Sequence, residues 1–217
     1  MPSKRILQKE KKRAAIIDAA EHLFFSKGYE RTTMDDLCHE AHFSKRTLYM
    51  YFNSKEQIHF EIMIRGYKQL ISMLDQESHL SNIIERLKQM TGTFYQFSVD
   101  FPEYFAAIFS YENNADDFQK GVPDSSKEEC YALGEVVFHR LAILIQEGQE
   151  EGVFRSDLDS KHTALILWSC MNGVLNTAKL KTNYLANYHY LSPKTLIDNA
   201  FDLIIHSICK NHGGALK

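Results

Sequence analysis

Helix breakers are scarce in this chain. Four prolines and ten glycines among 217 residues leave long stretches that nothing interrupts. Sustained period-two alternation is missing too, which argues against strands and predicts an all-α fold. Uninterrupted apolar runs such as Ala164 to Trp168 are short, far below the ~20 residues that span a bilayer. No signal-peptide core follows the charged N-terminus, so a cytoplasmic protein without a membrane partner is expected. The four cysteines, Cys38, Cys130, Cys170 and Cys209, stand far apart with no Cys-x-x-Cys pair, and neither a disulfide framework nor a zinc knuckle is indicated.

Signatures of catalysis are equally thin. There is no Gly-x-Ser-x-Gly, no phosphate-binding P-loop and no Gly-x-Gly-x-x-Gly. Glu56-x-x-His59 has the spacing of a di-iron carboxylate bundle, but the nearest second motif, Asp159-x-x-His162, carries the wrong acid. His39 and His42 flank Cys38 without a fourth ligand at usable spacing. The expectation is a protein that is not an enzyme and needs no metal or cofactor.

What is present is a charge asymmetry and a helical period. The net charge of −3 hides 11 Lys/Arg against 7 Asp/Glu in residues 1–55, and 14 against 21 in the remainder, a basic head on an acidic body. Residues 8–27 place Ile16, Ala20, Leu23 and Phe24 on one helical face, with Gly28 where a C-terminal cap belongs. Thr32 and Thr33 can cap a short helix over 34–41, and after a break at His42-Phe43, Ser44 can cap another over 45–51. Ser54 and Gln57 have the spacing of a capping box that opens a long helix through Leu74. Further helices are predicted near 79–99, 102–110, 125–151, 159–181 and 193–211, with a polar loop over 112–123. This predicts a three-helix N-terminal domain over 1–55 and a larger helical domain over 56–217.

Two short helices joined by a tight break have the dimensions of a helix-turn-helix. Lys45, Arg46 and Thr47 would open its second helix, where Lys and Arg can donate to guanine and a Thr methyl can touch thymine. Tyr49 and Tyr51 can offer phenol O–H groups to phosphates, while Leu48 and Phe52 face inward. Lys55 in the first turn of the next helix opposes the helix dipole unless an anion such as a phosphate compensates.

Ala-Ala-x-x-Leu-Phe in the first helix, Lys27-Gly28-Tyr29, Thr32-Thr33, Ser44 to Thr47 and Leu48-Tyr49-x-Tyr51-Phe52-x-x-Lys55-Glu56 together resemble the DNA-binding domain of the TetR family of transcriptional regulators. The resemblance covers residues 13–58. It implies phosphate contacts from Thr33, Tyr49 and Lys55 and base contacts around Lys45 to Thr47, so the DNA-contact candidates are Thr33, Ser44, Lys45, Arg46, Thr47, Tyr49, Tyr51 and Lys55. The sequence departs from the family where Leu37-Cys38 replaces Ile-Ala, where His42 replaces a turn Gly, and where Arg46 replaces a Gly.

The rest of the chain resembles the family in layout only, through Glu147-Gly148-x-x-Glu151-Gly152-x-Phe154-Arg155-x-Asp157 and the apolar helix holding Trp168 and Gly173. The layout implies a homodimer through the helices near 159–181 and 193–211, and a small, largely apolar effector. It also implies a near-palindromic double-stranded operator, bound by a repressor. Effector-contact candidates are Phe94, Phe97, Phe101, Tyr104, Phe105 and Phe109, closed by Trp168 and Met171, although aromatics at helical spacing are more often plain core. The pocket is expected between the 79–99 and 102–110 helices, with access near the 112–123 loop. The rival reading is a helical adaptor that binds protein partners and no DNA; it gives no reason for Tyr49 and Lys55 to coincide with a capped helix-turn-helix.

Overall fold

The computed structural model describes residues 4–77, 80–112 and 124–210. Among them lie ten helices and no strand: α1 (Lys4–Lys27), α2 (Met34–Glu40), α3 (Lys45–Tyr49), α4 (Lys55–Asp75), α5 (Ile83–Asp100), α6 (Pro102–Phe109), α7 (Ser125–Glu150), α8 (Ser160–Leu180), α9 (Thr182–His189) and α10 (Pro193–Ile208). The all-α expectation holds. Two differences have physical causes. The first helix begins earlier than its apolar period because residues 4–12 are all exposed and carry no such period. Helix α9 was not expected, since Leu185 is its single buried residue and too little hydrophobic pattern announces it. Most of the 112–123 loop, residues 113–123, lies outside the described residues.

The chain forms two compact units. The first holds residues 1–69 and 101–133, the second residues 70–100 and 134–217. The expected boundary at residue 55 differs from this division because Ile58 and Ile62 of α4 are buried in the same core as Ile16, Ile17, Ala20 and Phe24 of α1, Leu37 of α2, Leu48 of α3 and Phe52. Helix α6 joins this unit at Gly66, where an added Cβ would stand 2.9 Å from Ile108 Cδ1 and 3.0 Å from Tyr104 Cβ. The side chain of Tyr104 then reaches α1: its O–H donates to Glu21 Oε2 at 2.8 Å. Arg65 of α4 binds the same carboxylate oxygen at 3.0 Å and Asp18 Oδ1 at 2.6 Å. Burial, with Glu21 beside it, pushes the Tyr104 phenol up to about 12, so it remains a donor at neutral pH.

In the second unit Phe97, Val137, Ile145, Phe154 and Ala164 are fully buried, and α8 packs on α10. Helix α8 starts on Asp159, whose Oδ1 accepts from His162 N at 2.8 Å. This bond gives the Asp159-x-x-His162 spacing a capping role. Ser192 and Pro193 open α10, with Thr195 N donating to Ser192 Oγ at 3.0 Å. Gly148 sits inside α7 under the ring of Phe154, where a Cβ would come within 2.2 Å of the ring. Residues 153–155 and 208–210 pair through Arg155 N to Ile208 O and Lys210 N to Val153 O, both 2.9 Å.

Candidate nucleic-acid interface and apolar cavity

Local side-chain bonds build the α2–turn–α3 unit. Thr33 caps α2 in a capping box: Asp36 N donates to Thr33 Oγ1 at 3.1 Å, and Thr33 N donates to Asp36 Oδ2 at 2.8 Å. Lys27 Nζ, 2.8 Å from the same Asp36 oxygen, holds that carboxyl far below the usual carboxylate range together with these bonds. Thr32 does not share the capping; it is buried, and its hydroxyl donates to Gly28 O at 2.9 Å. The turn between α2 and α3 needs a left-handed residue, and His42 takes that conformation at φ 55. Its position lets Phe43 N reach Cys38 O at 3.0 Å, closing α2. Ser44 caps α3 by accepting from Thr47 N at 3.2 Å, and the two hydroxyls bond at 2.9 Å.

These bonds settle which way α3 faces. Leu48 and Phe52 are 0% and 1% exposed, as expected, which leaves Lys45, Arg46 and Tyr49 on the open side and Thr47 and Tyr51 half-buried. Helix α3 is shorter than the predicted 45–51 segment, ending at Tyr49 with a turn through Met50. Lys45 Nζ is paired with Asp35 Oδ1 of α2 at 2.8 Å, which raises the Lys45 pKa. Lys55 occupies the first turn of α4. Its Nζ donates to Tyr29 O at 2.8 Å and lies 4.0 Å from the centroid of the Tyr29 ring, so a carbonyl and a π face hold the cation that the helix dipole disfavours. Gln57 N donates to Ser54 Oγ at 3.1 Å, while the Gln57 side chain accepts from Asn53 N at 2.8 Å, one residue earlier than a regular capping box. Thr33, Ser44, Lys45, Arg46, Thr47, Tyr49, Tyr51 and Lys55 all lie in the first unit, within residues 33–55.

The effector candidates are divided. Phe94, Trp168 and Met171 line an apolar cavity in the second unit, with the Phe94 and Trp168 rings edge to face at 5.3 Å. Phe97 is fully buried, while Phe101, Tyr104, Phe105 and Phe109 lie in the first unit. In that unit Tyr104 serves the Glu21–Arg65 network, and the Phe105 and Phe109 rings meet at a tilt of 44° with centroids 4.5 Å apart. The cavity walls come from α5, α7, α8 and α10, through Leu87, Met90, Leu141, Leu167, Leu175, Phe201, Ile204 and Ile205 beside the three candidates. Its polar lining consists of Thr91 and Asn172, and its volume is about 50 Å³. Of the helices expected to bound the effector pocket, near 79–99 and 102–110, α5 lines this cavity and α6 does not. Leu87, Met90 and Phe94 follow a helical period that marks a buried face, but the period does not say which helices lie opposite. The α8 and α10 faces expected to meet a second subunit are split for the same reason. Trp168, Met171, Leu175, Phe201, Ile204 and Ile205 of those faces turn to the cavity and Leu165 is half exposed; Ile166, Leu180 and Leu203, outside the expected faces, are more than half exposed.

No helix among the described residues is long and apolar enough to cross a membrane. Residues 16–62 match the model of a family described as bacterial regulatory proteins, tetR family. YfiR of Bacillus subtilis, described as an uncharacterized HTH-type transcriptional regulator, is 25% identical over 181 residues, which are 78% of this chain and 81% of YfiR. NicS of Pseudomonas putida, an HTH-type transcriptional repressor, is 24% identical over 204 residues, 90% of this chain and 86% of NicS. A solved bacterial regulatory protein in the tetR family from Rhodococcus superposes with a TM-score of 0.64 at 16% identity, over 93% of this chain and 99% of that one; this likeness shows a common fold.

Proposed function

By its DNA-binding domain this chain belongs to the TetR family of bacterial regulatory proteins, and from that premise we propose that it is a homodimeric repressor released from its operator by a small, largely apolar effector. Its relatives are transcriptional regulators and not enzymes. The observation that carries the reading is the capped α2–turn–α3 unit, whose open side presents Lys45, Arg46 and Tyr49 with Lys55 one short turn away. Arg46 and Lys45 read base edges in the major groove, and Thr47 supplies a methyl group. Thr33, Tyr49, Tyr51 and Lys55 hold phosphates, and Ser44 sets the first turn of α3. A dimer of such heads reads a near-palindromic site. The exposed Leu165, Ile166 and Leu180 of α8 and Leu203 of α10 support the dimer contact proposed for those helices.

The cavity supports ligand control through its size. About 50 Å³ is far below the ~300–1,000 Å³ of ordinary small-molecule sites. An effector that enters among Phe94, Trp168 and Met171 must part the surrounding helices, so it binds an opened conformation better than this one. That differential affinity is what a ligand needs to shift a conformational equilibrium. The NicS relative is named a repressor, which favours release over activation. Selection of bound sequences from random duplex DNA, followed by a screen for compounds that dissociate the selected duplex, tests the reading. A chain that enriches no sequence ends it, as does a monomeric mass by light scattering at micromolar concentration for the dimer. Met171→Trp, which fills the cavity, is expected to abolish release while leaving effector-free DNA affinity intact.

A further inference from the structure

Within the first unit a second cavity, of about 580 Å³, opens between the end of α1, the first turns of α4, and α6. Its volume is that of an ordinary ligand site, more than ten times that of the apolar cavity. The lining combines the rings of Phe24, Phe25, Tyr29 and Tyr111 with four carboxylates, Glu30, Glu56, Glu103 and Glu112, and with His59; no Lys or Arg lines it among the described residues. Four carboxylates around one partly enclosed space give it a negative potential, which favours a cation as its occupant. The rings attract cations through their faces. Lys55 over Tyr29 is already one such contact at the edge of this cluster.

An independent observation comes from His59. The residue is 8% exposed and its ring stacks on Tyr29 with centroids 4.5 Å apart. Among the described residues its Nδ1 has no hydrogen-bond partner. Burial, assisted by Lys55, pushes the His59 pKa down to about 4, so the imidazole is neutral at pH 7 and retains a lone pair that can accept from a donor. Buried polar atoms are rarely left unpaired, and this one belongs to a residue that lines a roomy acidic cavity. Among the described residues no three His, Cys, Asp or Glu side chains are placed to hold a metal ion, and four aromatic rings would contribute nothing to a small hard cation that needs oxygen ligands.

We propose that this cavity binds an organic ammonium ion, whose N–H groups donate to the imidazole of His59 and to the surrounding glutamates while its carbon skeleton lies against Tyr29, Tyr111 and Phe24. Glu56 is already oriented for this, since Tyr111 O–H donates to its Oε1 at 2.9 Å and leaves the other oxygen for the guest. The site goes beyond the effector reading and does not rest on it, because its chemistry is cationic and its residues belong to the reading-head unit.

The test is isothermal titration of the full chain without DNA at neutral pH, so that a failure of the DNA-binding reading leaves it intact. The probes are phenethylammonium chloride and its neutral counterpart phenethyl alcohol. The ammonium is expected to bind one site per chain roughly tenfold or more tightly than the alcohol. Glu56→Gln combined with Glu103→Gln, or His59→Phe, is expected to weaken the ammonium by about the same factor and to leave the alcohol unchanged. Met171→Trp in the apolar cavity should leave both affinities unchanged, which assigns the binding to the first unit. Melting curves establish that each variant is folded; should the double variant not fold, Glu103→Gln alone carries the test, because its side chain is exposed. Equal affinity for the two probes overturns the proposal. So does the absence of heat with folded protein at millimolar ammonium, or carboxamide variants that bind like the parent.

Discussion

Around α2 and α3 the polar side chains are tied up in short local bonds, Thr33 with Asp36, Ser44 with Thr47 and Lys45 with Asp35, whereas the apolar cavity of the second unit is walled by carbon from four helices remote in sequence. The first arrangement is a surface set in advance: its caps hold α3 in register whether or not DNA is present, and binding replaces a few contacts. The second is close-packed, with room for little more than a water molecule or two. A ligand entering there would have to part the helices, and on the proposed reading that cost is what would make it a switch. A surface that reads DNA would gain from rigidity, and a cavity that senses a ligand from having two packings.

The largest expected effect lies in the core beneath the reading surface. Phe52→Ala empties a site that is 1% exposed and is expected to destabilise the first unit by about 3–5 kcal/mol. Arg13, whose guanidinium lies 5.2 Å from the Phe52 ring centroid, loses that contact too. Thermal melting and DNA binding should fail together. A variant that melts like the parent would mean that α3 is held by its caps alone.

Next in size is a pH effect that separates the units. His59 is neutral in the folded chain down to about pH 4, against 6.5 for the unconstrained group. Between those values the unfolded chain takes up a proton and the folded chain does not. Stability is therefore undiminished above pH 6.5 and falls as the pH drops towards 4, by roughly 3 kcal/mol in total. Denaturant titrations of the parent should show this slope, and His59→Phe should remove it. A slope that survives the substitution would place its origin in another group.

Base and phosphate contacts should then part in binding data. Arg46→Ala is expected to cost about 1–3 kcal/mol on the selected operator and to relax preference at one or two positions. Lys55→Ala should weaken operator and random duplex alike and reduce the salt dependence. Equal losses on both duplexes for Arg46→Ala would remove it from base reading. Lys55 must also leave Tyr29 O to reach a phosphate, so its net contribution is expected to be the smaller.

The smallest effect concerns the exposed pair on the reading face. Asp35→Asn frees Lys45 and removes a carboxylate that repels DNA, so affinity should rise by at most about 1 kcal/mol, with the gain fading as salt is added. Fluorescence anisotropy at two ionic strengths measures it. A loss of affinity would mean that the pair positions Lys45 for DNA.

Much of the first unit was legible in residue order because its determinants are short-ranged. Thr33 and Ser44 bond the backbone N–H groups three residues on, Leu48 and Phe52 are set inward by helical period, and the break at His42-Phe43 separates α2 from α3. The second unit was legible as helices and little more. Periodicity identified the apolar faces of α8 and α10, yet it could not say that they would close on each other and on α5 and leave Leu165 and Leu203 outside. It also could not separate Phe94 from Phe105, which share one aromatic stretch and fall in different units.

Amino-acid order alone thus determined the helical class and the caps of α2 and α3, since each depends on neighbours within a turn or two of helix. Only the tertiary structure decided that Lys55 rests on Tyr29, that Tyr104 joins Glu21 and Arg65, and that His59 is buried without a partner for Nδ1 among the described residues. Such contacts join residues tens of positions apart. Their existence depends on how helices pack, and a hydrophobic period specifies which face of a helix is buried without specifying what is buried against it.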